Sequence, residues 1–370
     1  MILRSLALTN FKNIAGATLD FSPKVNCLLG DNGMGKSNLL DAIYFLSFTK
    51  SYARVPDSLL IRTGEDFGIV RADYLRAGAD EEITAGLRAG MRKTLRRGGK
   101  EYRRLSQHIG LFPAVMVAPA DLDIVQGASE ERRRFADMII SQGDPAYLDA
   151  LIRYNQCLEQ RNRMLRDGLS DRTLYEAVEL TMDAAASAIR RARARFVERL
   201  GDLFLPCYAE LSGSGEQPGL ELLVSGGDHP TLADALEHSR CRDTAVRYTT
   251  VGPHRDDIDF TLDGLPLRRT GSQGQLKTFT VALRFAQYRF LADASPVRPL
   301  LLLDDIFDKL DAGRVERIIS LVSRDDFGQI FITDTNRKHL DEIMDAIGGD
   351  YRMWQVERGT FTPIAPHETH

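Results

Sequence analysis

Cysteine, long apolar runs and net charge are all scarce in this chain, and each scarcity removes a class of protein. Its four cysteines, Cys27, Cys157, Cys207 and Cys241, are scattered among 370 residues with no C-x-x-C pair and no Cys/His grouping at metal-ligand spacing. A disulfide framework and a zinc site are set aside, and a reducing compartment is expected. No stretch approaches the roughly 18 consecutive apolar residues of a membrane span. The opening segment, with Arg4 between Ile2, Leu6 and Leu8, is too polar for a secretory h-region, so a cytoplasmic protein with no membrane partner is expected. A formal net charge of −4 and a pI near 6.0 exert no overall pull on nucleic acid, so any DNA contact must come from a local basic patch. Internal repeats and low-complexity tracts are absent as well. What remains is a globular chain too long for one small core, which predicts one large domain with an insertion, or two domains.

Two segments far apart in the sequence carry complementary chemistry. Gly30-Asp31-Asn32-Gly33-Met34-Gly35-Lys36-Ser37 fits the G-x-x-x-x-G-K-[ST] phosphate loop. The run 25–29, bounded by Pro23 and Gly30, reads as a buried strand, and residues 37–48 have helical spacing with Leu39, Leu40, Ile43, Phe45 and Leu46 inward. A triphosphate needs clustered backbone N–H donors and a cation; glycines let the chain wrap the β-phosphate while the helix directs its positive end toward it. Lys36 is placed to reach the β/γ-phosphates and Ser37 to ligate magnesium, and Asn38 completes the candidate nucleotide-binding set.

Four leucines, 300–303, precede Asp304 and Asp305. On its own this is an ordinary strand end; paired with the phosphate loop it becomes the acidic partner. Asp304 is expected to hold Mg2+, and Asp305 to orient or deprotonate the attacking water. Lys36, Asp304 and Asp305 are thus the candidate catalytic set. Upstream, Ser272-Gln273-Gly274-Gln275 opens an amphipathic helix and resembles the signature motif of ABC-type ATPases, offering a hydroxyl and backbone N–H groups to an anion.

The remaining pattern organises these motifs. Residues 1–8 and 17–21 read as strands joined by a turn at Asn10-Phe11-Lys12-Asn13, residues 66–105 as an antiparallel region, and 112–118 as another buried strand. Residues 147–204 lack proline and predict two long helices broken at Gly168-Leu169-Ser170-Asp171. Gly-rich connectors at 212–215 and 225–228 flank a short strand at 220–224. The order strand 299–303, helix 313–323, strand 329–333 suits a parallel sheet. The predicted architecture is an α/β ABC-type ATPase head, a P-loop NTPase, with an inserted mainly helical second lobe. Its expected divisions are 1–143, 144–245 and 246–370, with a mobile tail after Phe361.

With the three motifs in this order the chain resembles the RecF family of recombination mediators, related to Rad50 and SMC head domains. Further stretches carry the resemblance: Leu8-Thr9-Asn10-Phe11-Lys12-Asn13; Pro119-Ala120-Asp121-Leu122 with Gly127 and Arg132-Arg133-Arg134; and Val251-Gly252-Pro253-His254-Arg255-Asp256-Asp257. It covers nearly the whole chain. The resemblance implies ATP and Mg2+ as cofactors and a weak DNA-stimulated ATPase used as a switch. It also implies binding to gapped DNA where double and single strands meet, in support of recombinase loading, with RecR as protein partner. It further implies an ATP-dependent homodimer in which Ser272 and Gly274 reach the γ-phosphate held by the partner's Lys36.

Several positions depart from related ATPases. Asp305 stands where many ABC ATPases carry Glu, one methylene longer, which suits slow turnover. Thr333-Asp334-Thr335 stands where transporters place a histidine, and Asp308-Lys309-Leu310-Asp311 resembles the D-loop with Asp308 in place of the usual Ser. The Q-loop is not identified, though 119–122 occupies the expected region. His254 is read as a structural brace, because one His without partners at metal spacing is poor support for chemistry. Rival readings are an SMC/Rad50-like tether, an ABC transporter ATPase subunit and a small-molecule P-loop kinase.

For DNA, the stripe Arg92, Lys93, Arg96, Arg97, Lys100, Arg103 and Arg104 is opposed only by Glu101. Such a stripe can displace counterions from phosphates without reading bases. Arg190, Arg191, Arg193 and Arg195 form a second basic group, read as an ordinary charged helix face.

Overall fold

The buried run 25–29 and the leucine-rich run 300–304 are strands because neither has a polar face to offer water, and both lie inside one mixed sheet. The computed structural model describes residues 1–213, 215–307, 311–324, 326–347 and 350–364. Packing divides the chain into two units, Met1–Ala120 with Gln287–His370, and Asp121–Ala286.

In the first unit a six-stranded sheet runs in the order Thr360–Ile364, Tyr351–Glu357, Val25–Leu29, Ile330–Asp334, Leu300–Asp304, Ala114–Val117. Five of these strands are parallel, and only the hairpin strand Thr360–Ile364 is antiparallel. Strand Ile330–Asp334 separates the strand that feeds the phosphate loop from the acidic strand. Register places Asp304 beside Thr333, and Asp334 beside Leu29. The C-terminal ends of three strands therefore meet at one edge, where open α/β sheets collect ligands.

A second, antiparallel sheet has the order Ile14–Asp20, Ile2–Phe11, Phe67–Arg76, Ala79–Arg88, Thr94–Arg97, Lys100–Glu101. Its first turn is tighter than expected. Phe11 pairs with Ile14, leaving only Lys12 and Asn13 in the loop. Helix Lys36–Phe48 touches strands of both sheets, which explains why eleven of its thirteen residues are buried rather than one stripe alone.

The second unit contains helices Ser129–Gly143, Pro145–Arg166, Arg172–Ser212 and Leu232–Val246 and a small antiparallel sheet of Leu265–Pro266, Asp257–Leu262 and Pro218–Leu223. Asp144 and Asp171 cap the two long helices: Asp144 accepts from Tyr147 N, and Asp171 from Thr173 N and Leu174 N. The second helix outruns its expected end, continuing through Pro206 to Ser212 and stopping at Gly213 in the left-handed region. Helix Leu232–Val246 occupies a segment to which the sequence pattern assigned no element. Residues 121–143 and 246–286, expected with the ATPase lobe, pack instead in this unit. The reason is local: helix Ser129–Gly143 lies on the two long helices, and strand Asp257–Leu262 pairs along its length with Pro218–Leu223. Ser214 of the first connector, residues 308–310 of the D-loop-like stretch and the tail 365–370 lie outside the described residues.

Charge is buried in the core of this unit. Asp256 is fully buried and accepts from Arg190 Nη2 at 3.2 Å, Arg193 Nη1 at 3.5 Å and Ser225 N at 2.9 Å. Asp257 takes a forked pair from Arg132, Nε at 2.8 Å and Nη2 at 3.0 Å. Arg161, also fully buried, donates to Glu179 at 2.8 Å, Asp243 at 2.7 Å and Thr249 at 2.9 Å. Arg190 and Arg193 are thus internal anchors, not an open helix face. Distant carboxylates, invisible to a local charge pattern, neutralise these two, whereas Arg191 and Arg195 are exposed, as a charged helix face requires. His254 is a brace within this unit: its Nδ1 lies 2.7 Å from the Tyr154 hydroxyl and its Nε2 3.0 Å from Thr249 O. Burial pushes its pKa down to about 4, so the ring is neutral.

Candidate nucleotide site

The phosphate loop leaves strand Val25–Leu29 and enters helix Lys36–Phe48 through Gly35, whose φ of 116° no L side chain adopts comfortably. A Cβ at Gly35 would stand 3.0 Å from the Asn13 side chain, and one at Gly30 only 2.4 Å from Val356 O. Glycine is therefore required twice, once for curvature and once for close backbone approach. The loop is also held from outside: Gly359 N donates to Met34 O at 2.7 Å, and Asn38 Nδ2 donates to Asn13 Oδ1 at 2.8 Å. Asn38 is thus tied to the hairpin turn. Asp31, Asn32 and Gly33 are exposed on the loop.

Lys36 is 3% exposed, and its Nζ donates to Gly30 O at 2.6 Å and Asp31 O at 3.1 Å. Its ammonium lies 3.9 Å from Asp305 Oδ1. Ser37 Oγ donates to Asp304 Oδ1 at 2.8 Å across a sequence separation of 267 residues. Thr333 Oγ1 donates to the same oxygen at 2.8 Å, and Asp305 N donates to Thr333 Oγ1 at 3.0 Å. Burial raises the Asp304 carboxyl above its ordinary range, while the hydroxyls of Ser37 and Thr333 act against that rise. Carboxylate and hydroxyl oxygens brought together in this way are the hard donors that suit a divalent cation such as Mg2+. Ser37 spends its proton on Asp304 and keeps its lone pairs for such a cation.

Two groups at this edge were not singled out as site residues. Thr333 is fully buried between the loop strand and the acidic strand. Asp334, the last residue of its strand, accepts from His339 Nδ1 at 2.9 Å, and its own carbonyl accepts from Gly30 N at 3.3 Å. The departure at Thr333-Asp334-Thr335 was the only signal in the sequence that pointed to them.

The family model of the RecF/RecN/SMC N terminal domain matches residues 2–66. A curated relative from Parabacteroides distasonis, described as DNA replication and repair protein RecF, is 50% identical over 98% of this chain and 100% of its own length. The chain belongs to the RecF family. A second relative with the same description, from Bacteroides fragilis strain YCH46, is 46% identical over the full length of both chains. Among solved structures, one described as the recombination mediator protein RecF-ATP in the RecFOR pathway matches with TM-score 0.89 and 27% identity over 98% of each chain. The head domain of SMC from Pyrococcus furiosus matches at 18% identity, TM-score 0.58, covering 98% of this chain and 96% of its own, which bears on fold alone. The fold is that of an ABC-type ATPase head.

Within this RecF-family chain the signature residues form a capping box at the start of helix Gln273–Ala294. Gln275 N donates to Ser272 Oγ at 3.2 Å and Ser272 N donates to Gln275 Oε1 at 2.7 Å. Ser272 and Gln273 are exposed, Gly274 and Gln275 half-buried. The basic stripe divides. Lys93 is fixed inside, donating to Thr49 O and to Asp57 Oδ1 at 3.0 Å with its ammonium over the Phe45 ring. Arg97 makes a forked pair with Glu81. Arg92, Arg96, Lys100, Arg103 and Arg104 are exposed, and of these only Arg96 has an ion-pair partner among the described residues, Glu101 at 3.9 Å.

Proposed function

We propose that this chain is an ATP-dependent DNA-binding protein of DNA replication and recombinational repair, and that its nucleotide site is completed by the signature motif of a second copy. The observation that carries the reading is the 2.8 Å bond from Ser37 to Asp304, which joins the phosphate loop to the acidic strand in one polar cluster with Lys36 and Asp305. The names of its full-length relatives and the ATP-bound state of the RecF structure it resembles support the same reading.

Each residue then has a definite task. Backbone N–H groups of the loop and the start of its helix receive the phosphates. Lys36 exchanges its two carbonyl acceptors for phosphate oxygens. Ser37 and Asp304 would hold Mg2+, which when bound would supply positive charge against the developing negative charge of the transferred phosphoryl group. Asp305 orients the attacking water or accepts its proton, and its short side chain favours slow turnover suited to a switch. Exposed Ser272 and half-buried Gly274, at the start of their helix, would meet the γ-phosphate held by the partner's Lys36. ATP then makes contacts in the dimer that a monomer cannot provide, so it shifts the population toward dimer, and loss of the γ-phosphate reverses the shift. Arg92, Arg96, Lys100, Arg103 and Arg104 neutralise DNA phosphates at gapped junctions. RecR is the partner implied by the family resemblance, and the cytoplasm the compartment.

The test is hydrolysis measured with and without gapped DNA, using Lys36→Met as control. Slow hydrolysis that gapped DNA accelerates and Lys36→Met abolishes is the expected result. Hydrolysis indifferent to DNA, or surviving in Lys36→Met, overturns the reading.

A further inference from the structure

Two consecutive carboxylates, Asp304 and Asp305, have different tasks in the proposed site, yet nothing in their own sequence holds them apart. Asp304 closes the strand Leu300–Asp304, whereas Asp305 has φ of +46°, a conformation that L-residues other than Asn and Asp adopt reluctantly. The chain turns sharply at that bond. One side chain from the neighbouring strand bridges the turn. Thr333 is fully buried, is paired with Asp304 in parallel register, and is β-branched, so its χ1 is stiff and its hydroxyl has a fixed direction.

A hydroxyl has one proton to give and two lone pairs to offer. The Thr333 hydroxyl gives its proton to Asp304 Oδ1 at 2.8 Å and takes the backbone N–H of Asp305 at 3.0 Å. The Asp305 carboxylate oxygen, 3.4 Å away, is the weaker claimant for the same proton. Asp304 Oδ1 is thereby saturated by two hydroxyls, Ser37 and Thr333, and Oδ2 remains the less encumbered oxygen. Asp305 is held in the left-handed turn that leaves its carboxylate 3.9 Å from the Lys36 ammonium.

We propose that Thr333 is a positioning residue for hydrolysis, a single hydroxyl clip that fixes the orientation of Asp304 and the backbone turn of Asp305 together. The inference rests on the reading of Asp304 and Asp305 as the cation-holding and water-directing carboxylates. It assigns Thr333 no contact with nucleotide, so phosphate binding through the loop and Lys36 does not depend on it. Catalytic geometry does.

Thr333→Val keeps the shape and removes the hydroxyl, leaving Asp305 N–H and Asp304 Oδ1 each one partner short; Thr333→Ser keeps the hydroxyl and loses the methyl. In the full chain, three quantities are measured for both variants: nucleotide affinity without magnesium, single-turnover hydrolysis with magnesium, and the thermal transition. The valine variant is expected to bind nucleotide like the parent without magnesium and to hydrolyse it about 100-fold more slowly, the scale of loss for a catalytic group displaced by about an ångström. The serine variant is expected to hydrolyse at the parent rate. Parent-like hydrolysis by the valine variant overturns the inference, and so does a serine variant as slow as valine. If valine lowers the thermal transition, the serine comparison decides alone, since a purely structural methyl would be missed there and a positioning hydroxyl would not. Failure of the underlying reading is visible separately, as a parent protein that neither binds nor hydrolyses ATP.

Discussion

Replacing Asp256 with asparagine removes the carboxylate on which two arginines of the second unit converge. Asp256 is fully buried, and its oxygens serve Arg190, Arg193 and Ser225 N. Breaking a buried ion pair from one side costs about 3–5 kcal/mol, because the surviving charge has lost its compensation. Here the lower end applies. Arg193 keeps both oxygens of Asp137, and Arg190 keeps Ser225 O and is partly solvated. The new amide would also turn its hydrogens toward guanidinium hydrogens, so the swap is not neutral. The expected loss is about 3 kcal/mol, roughly a 150-fold rise in the unfolded fraction of this unit. Trp354 is the only tryptophan and belongs to the first unit, so its fluorescence reports that unit, while far-UV circular dichroism is dominated by the long helices of the second. In urea titrations the dichroism midpoint should fall while the fluorescence midpoint moves less. Adding Arg190→Met to Asp256→Asn should cost less than the sum of the single changes, since both act on one network. A loss below about 1 kcal/mol, in the range of an exposed pair, would refute the buried-network account.

Two further outcomes are expected. His108 and His254 both have pKa values pushed down to about 4, chiefly by burial, against an ordinary 6.5. The unfolded chain takes up these protons first, so the stability is complete above pH 6.5 and drains away as pH falls toward 4, by up to about 3 kcal/mol per ring. His254→Gln should flatten the acid limb seen by dichroism and His108→Gln the one seen by Trp354 fluorescence; unchanged acid limbs would contradict neutral buried rings. For the basic stripe, reversing Arg92, Arg96, Lys100, Arg103 and Arg104 to Glu should weaken DNA binding and lower its salt slope, by about 0.9 for each phosphate no longer neutralised. Lys93→Glu should instead lower thermal stability, because its ammonium is bound within the fold; an unaltered salt slope in the fivefold variant would eliminate the stripe as a DNA surface.

Much of the proposed site was legible because a phosphate-loop pattern is local in sequence. The glycine spacing, Lys36, Ser37 and the leucine run before Asp304 each reflect a constraint within a few residues of itself, and the strand–loop–helix context follows from hydrophobic periodicity. Thr333 was not legible in the same way. Its proposed role depends on parallel register with Asp304, and the departure at Thr333-Asp334-Thr335 marks the place without distinguishing a clip from an ordinary strand residue. The same limit governs charge. Arg96 and Arg97 look alike in sequence, but Glu81, paired through the neighbouring strand, claims one and leaves the other exposed. The Gly252 to Asp257 stretch marked the family without disclosing its purpose, which is to present two carboxylates to arginines more than 60 residues upstream. Domain division eluded periodicity for a related reason: strand Asp257–Leu262 joins Pro218–Leu223 by pairing, and pairing partners are not written in hydropathy.

In the proposed dimer one copy supplies the phosphate loop and another supplies Ser272 to the same ATP. Sedimentation velocity of the parent and of Ser272→Arg, each with ATP and Mg2+ and each checked for nucleotide binding, tests it directly. The parent is expected to sediment as a dimer only with ATP, and Ser272→Arg to bind ATP yet remain a monomer. A variant that dimerises with ATP as well as the parent does would contradict it.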